Sequence, residues 1–116
     1  MSLSISEDQI RNELKTVLDP ETHLNIVEMG FIRKVQVIPT DDAFQIRIVY
    51  TLTTPGCPLA GMIQHQVQQA LTRIIPDELL DSKKIQPEKD IITELTFDPP
   101  WRLQDMSEEA RAELGF

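Results

Sequence analysis

The chain has 116 residues, of which 41% are hydrophobic and 26% charged, and this composition indicates one globular domain, 1–116, with an ordinary core. Its net charge of −8 argues against a nucleic-acid groove. The lack of a long apolar run argues against a membrane segment, and the N-terminal residues do not have the pattern of a signal peptide. A single cysteine cannot form an internal disulfide, which favours a reducing, cytoplasmic location.

The first predicted element is a helix that begins after Ser6. Ser6 is a favourable N-cap, and Gln9 stands at the position that completes a capping box. Apolar residues then recur at helical spacing, and Pro20 ends this pattern. The sequence therefore predicts a helix from the residue after Ser6 to about Leu18.

Two strands are predicted next, over 31–38 and 44–53, and the second has the clearest pattern in the chain. Every second residue of this strand is hydrophobic, which is typical of a strand with one buried face. The hydrophobic series consists of Phe44, Ile46, Ile48, Tyr50 and Leu52. Turn-forming residues at 39–42 join the two strands, so we expect an antiparallel hairpin.

A long helix is predicted after the second strand, and it ends before Pro76. Pro58 suits the first helical position, which makes Cys57 the predicted N-cap. The apolar stripe of this helix comprises Leu59, Met62, Ile63, Val67, Ala70, Leu71 and Ile74. The charged stretch 76–90 is poorly periodic, so we expect a long connection with a short helical turn at 79–80.

The third strand is predicted over 91–97 and ends before two prolines, because proline cannot donate to a strand ladder. A short final helix over 108–114 has Ser107 as its N-cap and Gly115 at its end. The predicted order is α-β-β-α-β-α. It indicates an α+β fold with helices packed on one face of a three-stranded mixed sheet, in which a right-handed crossover makes strands two and three parallel.

Cys57 is the only cysteine, and it falls where the strand pattern stops and the helix pattern starts. A thiol at the first turn of a helix meets unpaired backbone N–H groups and the positive end of the helix dipole, and both stabilise the thiolate. The thiolate attacks electrophiles and binds soft metals. A lone cysteine is otherwise most often a small buried hydrophobe, and both interpretations stay open.

A hydrolytic or transferase role would need a base within hydrogen-bond reach of Cys57. His65 lies eight residues down the same predicted helix, about 12 Å away at about 1.5 Å per residue, and off the face of the cysteine. His23 lies in the loop before the first strand, and nothing in its spacing directs it toward the thiol. A thiol-dependent enzyme therefore has weak support.

A permanent zinc site needs four ligands, which one cysteine and two separated histidines do not supply. A site completed by a second chain, or by external thiols, stays open. Iron–sulfur clusters are the expected cargo of such a site because thiolates hold their iron. A homodimer could supply one thiolate from each chain.

The loop over 19–30 is the second candidate feature. Asp19 and Glu21 fit a simple turn at the end of a helix, whereas Asp19 and Glu28 could also lean toward the thiol as oxygen ligands or proton acceptors. Trp101 is either an anchor that seals the edge of the core or an exposed docking residue.

Five segments, read together and in order, resemble a known family. They are Asp19-Pro20-Glu21, Asn25-Ile26-Val27-Glu28-Met29-Gly30, Leu52-Thr53-Thr54-Pro55-Gly56-Cys57-Pro58, Phe97-Asp98-Pro99-Pro100-Trp101 and Met106-Ser107-Glu108-Glu109-Ala110-Arg111. The chain resembles the SufT/PaaD-like metal–sulfur cluster biosynthesis family, whose eukaryotic members belong to the cytosolic iron–sulfur assembly machinery. The resemblance extends from about Ile10 to Phe116, and the closing residues are similar to the stand-alone SufT type.

The resemblance implies a fold like the iron–sulfur cluster assembly domains and a role in maturing iron–sulfur proteins. Together with the single thiol and its lack of a base partner, it predicts an assembly factor and not a turnover enzyme. The family's reactive cysteine falls on Cys57. Its acidic loop, the threonine before the cysteine and its tryptophan fall on Asp19, Glu21, Glu28, Thr53 and Trp101. We expect Cys57 to contact iron or a transient iron–sulfur cluster, Asp19, Glu28 and Thr53 to shape its surroundings, and Trp101 to contact partners. The expected partners are iron–sulfur assembly proteins and apoprotein clients.

The chain departs from the family pattern at three places. His23 stands where many members have glycine, and the connection over 76–90 is longer than in typical members. The cysteine-rich tail of the PaaD subgroup is missing, which argues against a phenylacetate-degradation complex.

Two alternatives to a cluster-contacting factor follow from the same residues. One is an adaptor module that docks clients or an assembly ATPase without touching metal, through its acidic surface, the Trp101 segment and the 76–90 connection. The other is a thiol-dependent enzyme that acts on a small electrophile.

Overall fold

A three-stranded mixed sheet organises the protein. The computed structural model describes residues 5–20, 22–53 and 60–115. The strands are β1 (Ile32–Pro39), β2 (Phe44–Tyr50) and β3 (Ile91–Leu95), and the helices are α1 (Glu7–Leu14), α2 (Ala60–Ile74), α3 (Asp77–Asp81), α4 (Pro87–Asp90) and α5 (Glu108–Leu114), with a 3₁₀ turn at Leu103–Asp105. β2 lies in the centre, antiparallel to β1 and parallel to β3. The predicted α+β fold and element order are confirmed, with α3 and α4 added inside the crossover.

One face of the sheet carries the core. Phe44, Ile46, Ile48 and Tyr50 of β2 are buried, while the residues between them are partly exposed. Ile48 pairs with Val35 of β1, and Ile46 pairs with Ile91 of β3. α1 packs against β1 and against α2, and α2 also packs against β3. The alternation in the second strand therefore predicted the buried face correctly.

Helix α1 begins as predicted but ends earlier. The Ser6 side chain accepts a hydrogen bond from the Gln9 backbone N–H at 3.1 Å, and the Gln9 side chain accepts one from the Ser6 N–H at 2.9 Å. The helix ends at Leu14, so the predicted extension to Leu18 is wrong. The chain there pairs with the following loop instead, since Val17 accepts from the Ile26 N–H at 3.0 Å.

Helix α2 buries most of its predicted stripe. Ile63, Val67, Ala70 and Leu71 are buried, whereas Met62 is 45% exposed and does not belong to the core. Ile75, the residue after the helix, is buried more completely than Ile74. The predicted cap and first residue of this helix, Cys57 and Pro58, and the first residue of its predicted stripe, Leu59, lie outside the described residues. None of the described helices is long and apolar enough to cross a membrane.

The 76–90 stretch is more ordered than its sequence pattern indicated. The predicted helical turn at 79–80 is present as α3, but a second helix, α4, was missed. Leu79 and Ile85 are each only 2% exposed, and the Ile85 N–H donates to the Leu79 carbonyl at 3.1 Å. Two buried side chains therefore fasten this connection to the core.

The last helix matches its prediction. The Ser107 side chain accepts from the Ala110 N–H at 3.1 Å. Gly115 ends α5 with a φ of +82°, a left-handed conformation that glycine adopts without steric cost. Strand β3, by contrast, ends at Leu95 and stops short of the predicted residue 97.

Candidate functional site: the acidic loop and the segment that holds it

Asp19 closes the first turn of the acidic loop, which we define as residues 19–30. Its side chain is 6% exposed, and Oδ2 accepts hydrogen bonds from the Thr22 N–H at 3.2 Å and the Thr22 hydroxyl at 2.9 Å. Its backbone N–H donates to the Leu24 carbonyl at 2.8 Å, and its own carbonyl accepts from the His23 N–H at 2.8 Å. Asp19 is thus bound to its own turn, as the simpler interpretation of this residue expected.

His23 occupies a conformation that favours glycine. Its φ is +63°, and its side chain is exposed. A residue with a β-carbon pays about 1–2 kcal/mol in this left-handed region. Glycine is therefore the residue that the backbone geometry at this position prefers.

Glu28 lies in the second half of the acidic loop and faces the C-terminal helix. Its backbone N–H donates to Asn25 Oδ1 at 2.8 Å, which closes a second turn. Its side chain lines a cavity of about 390 Å³ together with Glu109 and Glu113 of α5. Asp19 and Glu28 therefore belong to two different turns of the acidic loop, and their recorded hydrogen-bond partners differ.

Trp101 holds the acidic loop from the other end of the chain. Its indole N–H donates to the Met29 carbonyl at 2.7 Å, and its ring meets Phe31 edge-on, with centroids 6.1 Å apart. The side chain is half-buried. Its polar and apolar parts both have partners within the chain, which supports the anchor interpretation and leaves the docking role untested.

Gly30 and Asp105 form a second contact at the end of the acidic loop. Gly30 has a φ of +75°, and a β-carbon there would overlap with the Asp105 backbone carbonyl. The backbone of Ser107 donates to the Glu28 carbonyl at 2.9 Å, and Arg33 binds Asp105 Oδ2 at 3.2 Å. The C-terminal segment 99–107 therefore contacts three consecutive residues of the acidic loop, Glu28, Met29 and Gly30.

Sequence reasoning missed Gly30, Asp105 and Arg33 as residues that shape the site. One available signal was Gly30 itself, because a glycine directly before a strand often marks a positive φ or a close approach of two backbones. Nothing in the sequence pattern indicated that Asp105 would be the neighbour.

The remaining predicted site residues are described only in part. Thr53 is exposed and follows the end of β2. Cys57 and Glu21 lie outside the described residues. Among residues 5–20, 22–53 and 60–115, no group of three or more His, Cys, Asp or Glu side chains is placed to hold a metal ion.

The resolved pKa shifts lie away from the acidic loop. On the sheet face opposite the core, Arg47 donates to both carboxylate oxygens of Glu94, at 2.9 and 2.6 Å, and these bonds lower the pKa of Glu94. Burial raises the pKa of Tyr50 above its usual value.

Comparison with known proteins establishes the family. A family described as "Iron-sulfur cluster assembly protein" matches residues 7–78. The chain belongs to this family. It is 36% identical over 111 residues to the Fe-S protein maturation auxiliary factor of Porphyromonas gingivalis, covering 96% of this chain and 92% of that protein. It is 34% identical over 99 residues to the maturation auxiliary factor SufT of Staphylococcus aureus, covering 85% and 97%.

A solved structure shows the same architecture. A domain of unknown function from Bacillus anthracis superposes with a TM-score of 0.73 at 27% identity, covering 95% of this chain and 92% of that one. The predicted resemblance to the SufT type is confirmed. This protein has a role in iron–sulfur cluster assembly.

Proposed function

We propose that this protein is a cytoplasmic maturation factor that contacts iron or a transient iron–sulfur cluster through the Cys57 thiolate. One observation carries the proposal. The chain belongs to an iron–sulfur cluster assembly family, and its single thiol lies, in sequence, between β2 and α2. Thiolates are the usual ligands of cluster iron. The cluster is cargo in this proposal, and the chain does not turn over a substrate.

One thiolate cannot complete the coordination of a cluster, and this chain has one cysteine. We therefore assign the remaining ligands to a second chain or to a partner. Asp19, Glu28 and Thr53 are proposed to shape the surroundings of the cargo. Thr53, exposed three residues after β2, is the last described residue before Cys57.

The proposed partners are iron–sulfur assembly proteins and apoprotein clients. The names of the Porphyromonas gingivalis and Staphylococcus aureus relatives support such clients, since both are called maturation factors for Fe-S proteins. The single cysteine supports a reducing compartment.

Anaerobic reconstitution with iron and sulfide tests the role of Cys57. We expect the wild-type protein to bind iron and sulfide, and Cys57→Ser to lose most of both. Asp8→Asn, which changes an exposed ligand-type residue on α1, is the control and should bind as the wild type does. If Cys57→Ser retains the same iron and still supports client maturation, Cys57 is not the ligand.

The ionisation of the thiol is a separate test. If Cys57 meets the N-terminus of α2, its pKa should lie below the ordinary value of about 8.5. The pH dependence of alkylation by iodoacetamide measures this pKa. A thiol pKa of about 8.5 would contradict the stabilisation of the thiolate by the helix dipole, and it would also contradict a thiol-dependent enzyme.

An adaptor that docks clients without touching metal is the second candidate. One surface feature favours it, since Trp101 is only half-buried and Leu103 beside it is 44% exposed. In this case Leu103→Ala should weaken capture of a purified assembly partner while Cys57→Ser leaves capture unchanged. Trp101→Phe is the companion variant, because it keeps an aromatic ring and removes the indole N–H that donates to the Met29 carbonyl.

A further inference from the structure

The outer edge of β3 presents backbone groups that face away from the sheet. β3 stands at one end of the strand order and pairs with β2. The Thr96 N–H donates to the Tyr50 carbonyl at 2.8 Å, and successive residues of a strand direct their N–H and C=O groups to opposite sides. Thr93 and Leu95 therefore direct theirs away from β2. Within the described part of the chain, no hydrogen bond uses the N–H of either residue.

A side chain of α2 already binds one outward group of this edge. The Gln68 amide donates to the Ile91 carbonyl at 2.7 Å. This bond shows that the outer edge of β3 accepts a donor from outside the sheet. It lies at the start of the strand and does not reach the outward groups of Thr93 and Leu95.

The two edge strands differ in their protection against pairing with another strand. A local irregularity, lysine and proline are common protections of a sheet edge. β1 has all three, with a register shift between Ile32 and Lys34 and with Pro39 at its end. β3 contains neither lysine nor proline, and its pairing with β2 keeps a continuous register. β3 is therefore the edge that is built to accept a further strand.

We propose that the outer edge of β3 binds an extended segment of a partner protein in which apolar residues alternate with basic ones. The segment adds a fourth strand, because the outward groups of Thr93 and Leu95 match the spacing of an extended backbone. Its side chains alternate between the two faces of the sheet. Leu95 pairs with the buried Tyr50 and is 42% exposed, so an apolar side chain beside it removes apolar surface from water.

The basic residues of the segment follow from the charges around β3. Residues 88–98 contain one lysine and four carboxylates, those of Glu88, Asp90, Glu94 and Asp98. Arg47 binds Glu94 on the face opposite the core, yet the Glu94 side chain is 46% exposed, and its carboxylate has lone pairs for a further donor. A second copy of this chain is disfavoured, because it brings a net charge of −8 to the same edge.

Amide hydrogen exchange of the full-length chain, measured residue by residue by NMR, tests the added strand. The probe is an end-blocked synthetic peptide in which valine and lysine alternate. In the free protein, the amides of Thr93 and Leu95 should exchange faster than those of Ile92 and Glu94, which face β2. Saturating peptide should slow exchange at Thr93 and Leu95 at least about tenfold and leave the other two nearly unchanged.

Thr93→Pro is the variant that blocks the edge. It removes the outward N–H and places a ring where the added strand must approach, while the bonds to β2 come from the neighbouring residues. Peptide binding should weaken at least about tenfold. Thr93→Val keeps the N–H and nearly the same shape, so it should bind as the wild type does. A peptide with glutamate in place of lysine should bind the wild type at least about tenfold more weakly.

A peptide that does not bind, or that binds without slowing exchange at Thr93 and Leu95, overturns the proposal. Equal binding by Thr93→Pro and Thr93→Val also overturns it, and equal binding of the glutamate peptide overturns the basic character of the partner. Protection of the two amides that grows with protein concentration, without peptide, would assign the edge to a second copy instead. Cys57→Ser should bind the peptide as the wild type does, so the edge and the cargo role of Cys57 are tested independently.

Discussion

Gly30 carries the strongest single-residue constraint in the described part of the site. Its positive φ disfavours any β-carbon, and its neighbour at that point is the backbone of Asp105 and not a flexible side chain. A backbone carbonyl can move only with its whole segment. A residue without a side chain thus sets the distance between the acidic loop and the C-terminal segment.

Gly30→Ala should lower the free energy of unfolding by about 3 kcal/mol or more, because strain and a backbone clash add. Chemical denaturation measures the change. Gly61→Ala is the matched control, since a β-carbon at Gly61 has open space and alanine is the better helix former. We expect that control to gain about 0.5–1 kcal/mol. A Gly30→Ala protein as stable as the wild type would refute the contact.

His23→Gly should have the opposite effect. Glycine relieves the left-handed strain at φ +63°, and part of this gain is offset by the greater freedom of glycine in the unfolded chain. We expect a net increase of about 0.5–1 kcal/mol in the free energy of unfolding. His23→Ala keeps the β-carbon and should show no such gain, so equal stabilisation by both variants would exclude backbone strain as the cause.

At the scale of elements, the sheet has two different faces. The core face is hydrophobic, while Gln36, Arg47 and Glu94 form a row of side-chain hydrogen bonds across all three strands on the other face. Arg47 binds Glu94 through two bonds in a parallel strand pair. Such a row stabilises the register of β3 beside β2.

The Arg47–Glu94 pair should make stability depend on pH. The pKa of Glu94 is lower in the folded protein than in the unfolded chain, because Arg47 donates to its carboxylate. Its contribution is therefore complete above the ordinary pKa of a glutamate and is lost as pH falls through the lowered folded value. A double-mutant cycle with Arg47→Gln and Glu94→Gln should show coupling at neutral pH that disappears in acid. Coupling that does not change with pH would contradict this assignment.

At the scale of the whole molecule, the net charge of −8 opposes compactness. Carboxylates repel one another across the folded surface, and salt screens this repulsion. The unfolded chain holds these charges farther apart, so the repulsion lowers the stability of the folded state.

Moderate salt should raise the Tm at neutral pH because it screens this repulsion. Thermal unfolding in increasing sodium chloride measures the effect, at two protein concentrations, since dimer formation also raises the Tm. Near the sequence pI of about 4.6 the repulsion is small, and the salt effect should largely vanish. A Tm that falls with salt at neutral pH would show that attractive pairs outweigh the net repulsion.

The resemblance of five ordered motifs was sufficient for the family, and local patterns in the chain were sufficient for the fold class, the strand order and the caps at Ser6 and Ser107. These features depend on neighbouring residues, whose periodicity records which side of a helix or strand is buried. Only the tertiary structure decided three other features. They are the early end of α1, the exposed position of Met62, and the contacts of Trp101 and Asp105 with the acidic loop. Trp101 and Met29 are 72 residues apart, and no local pattern encodes which backbone carbonyl a distant indole will meet.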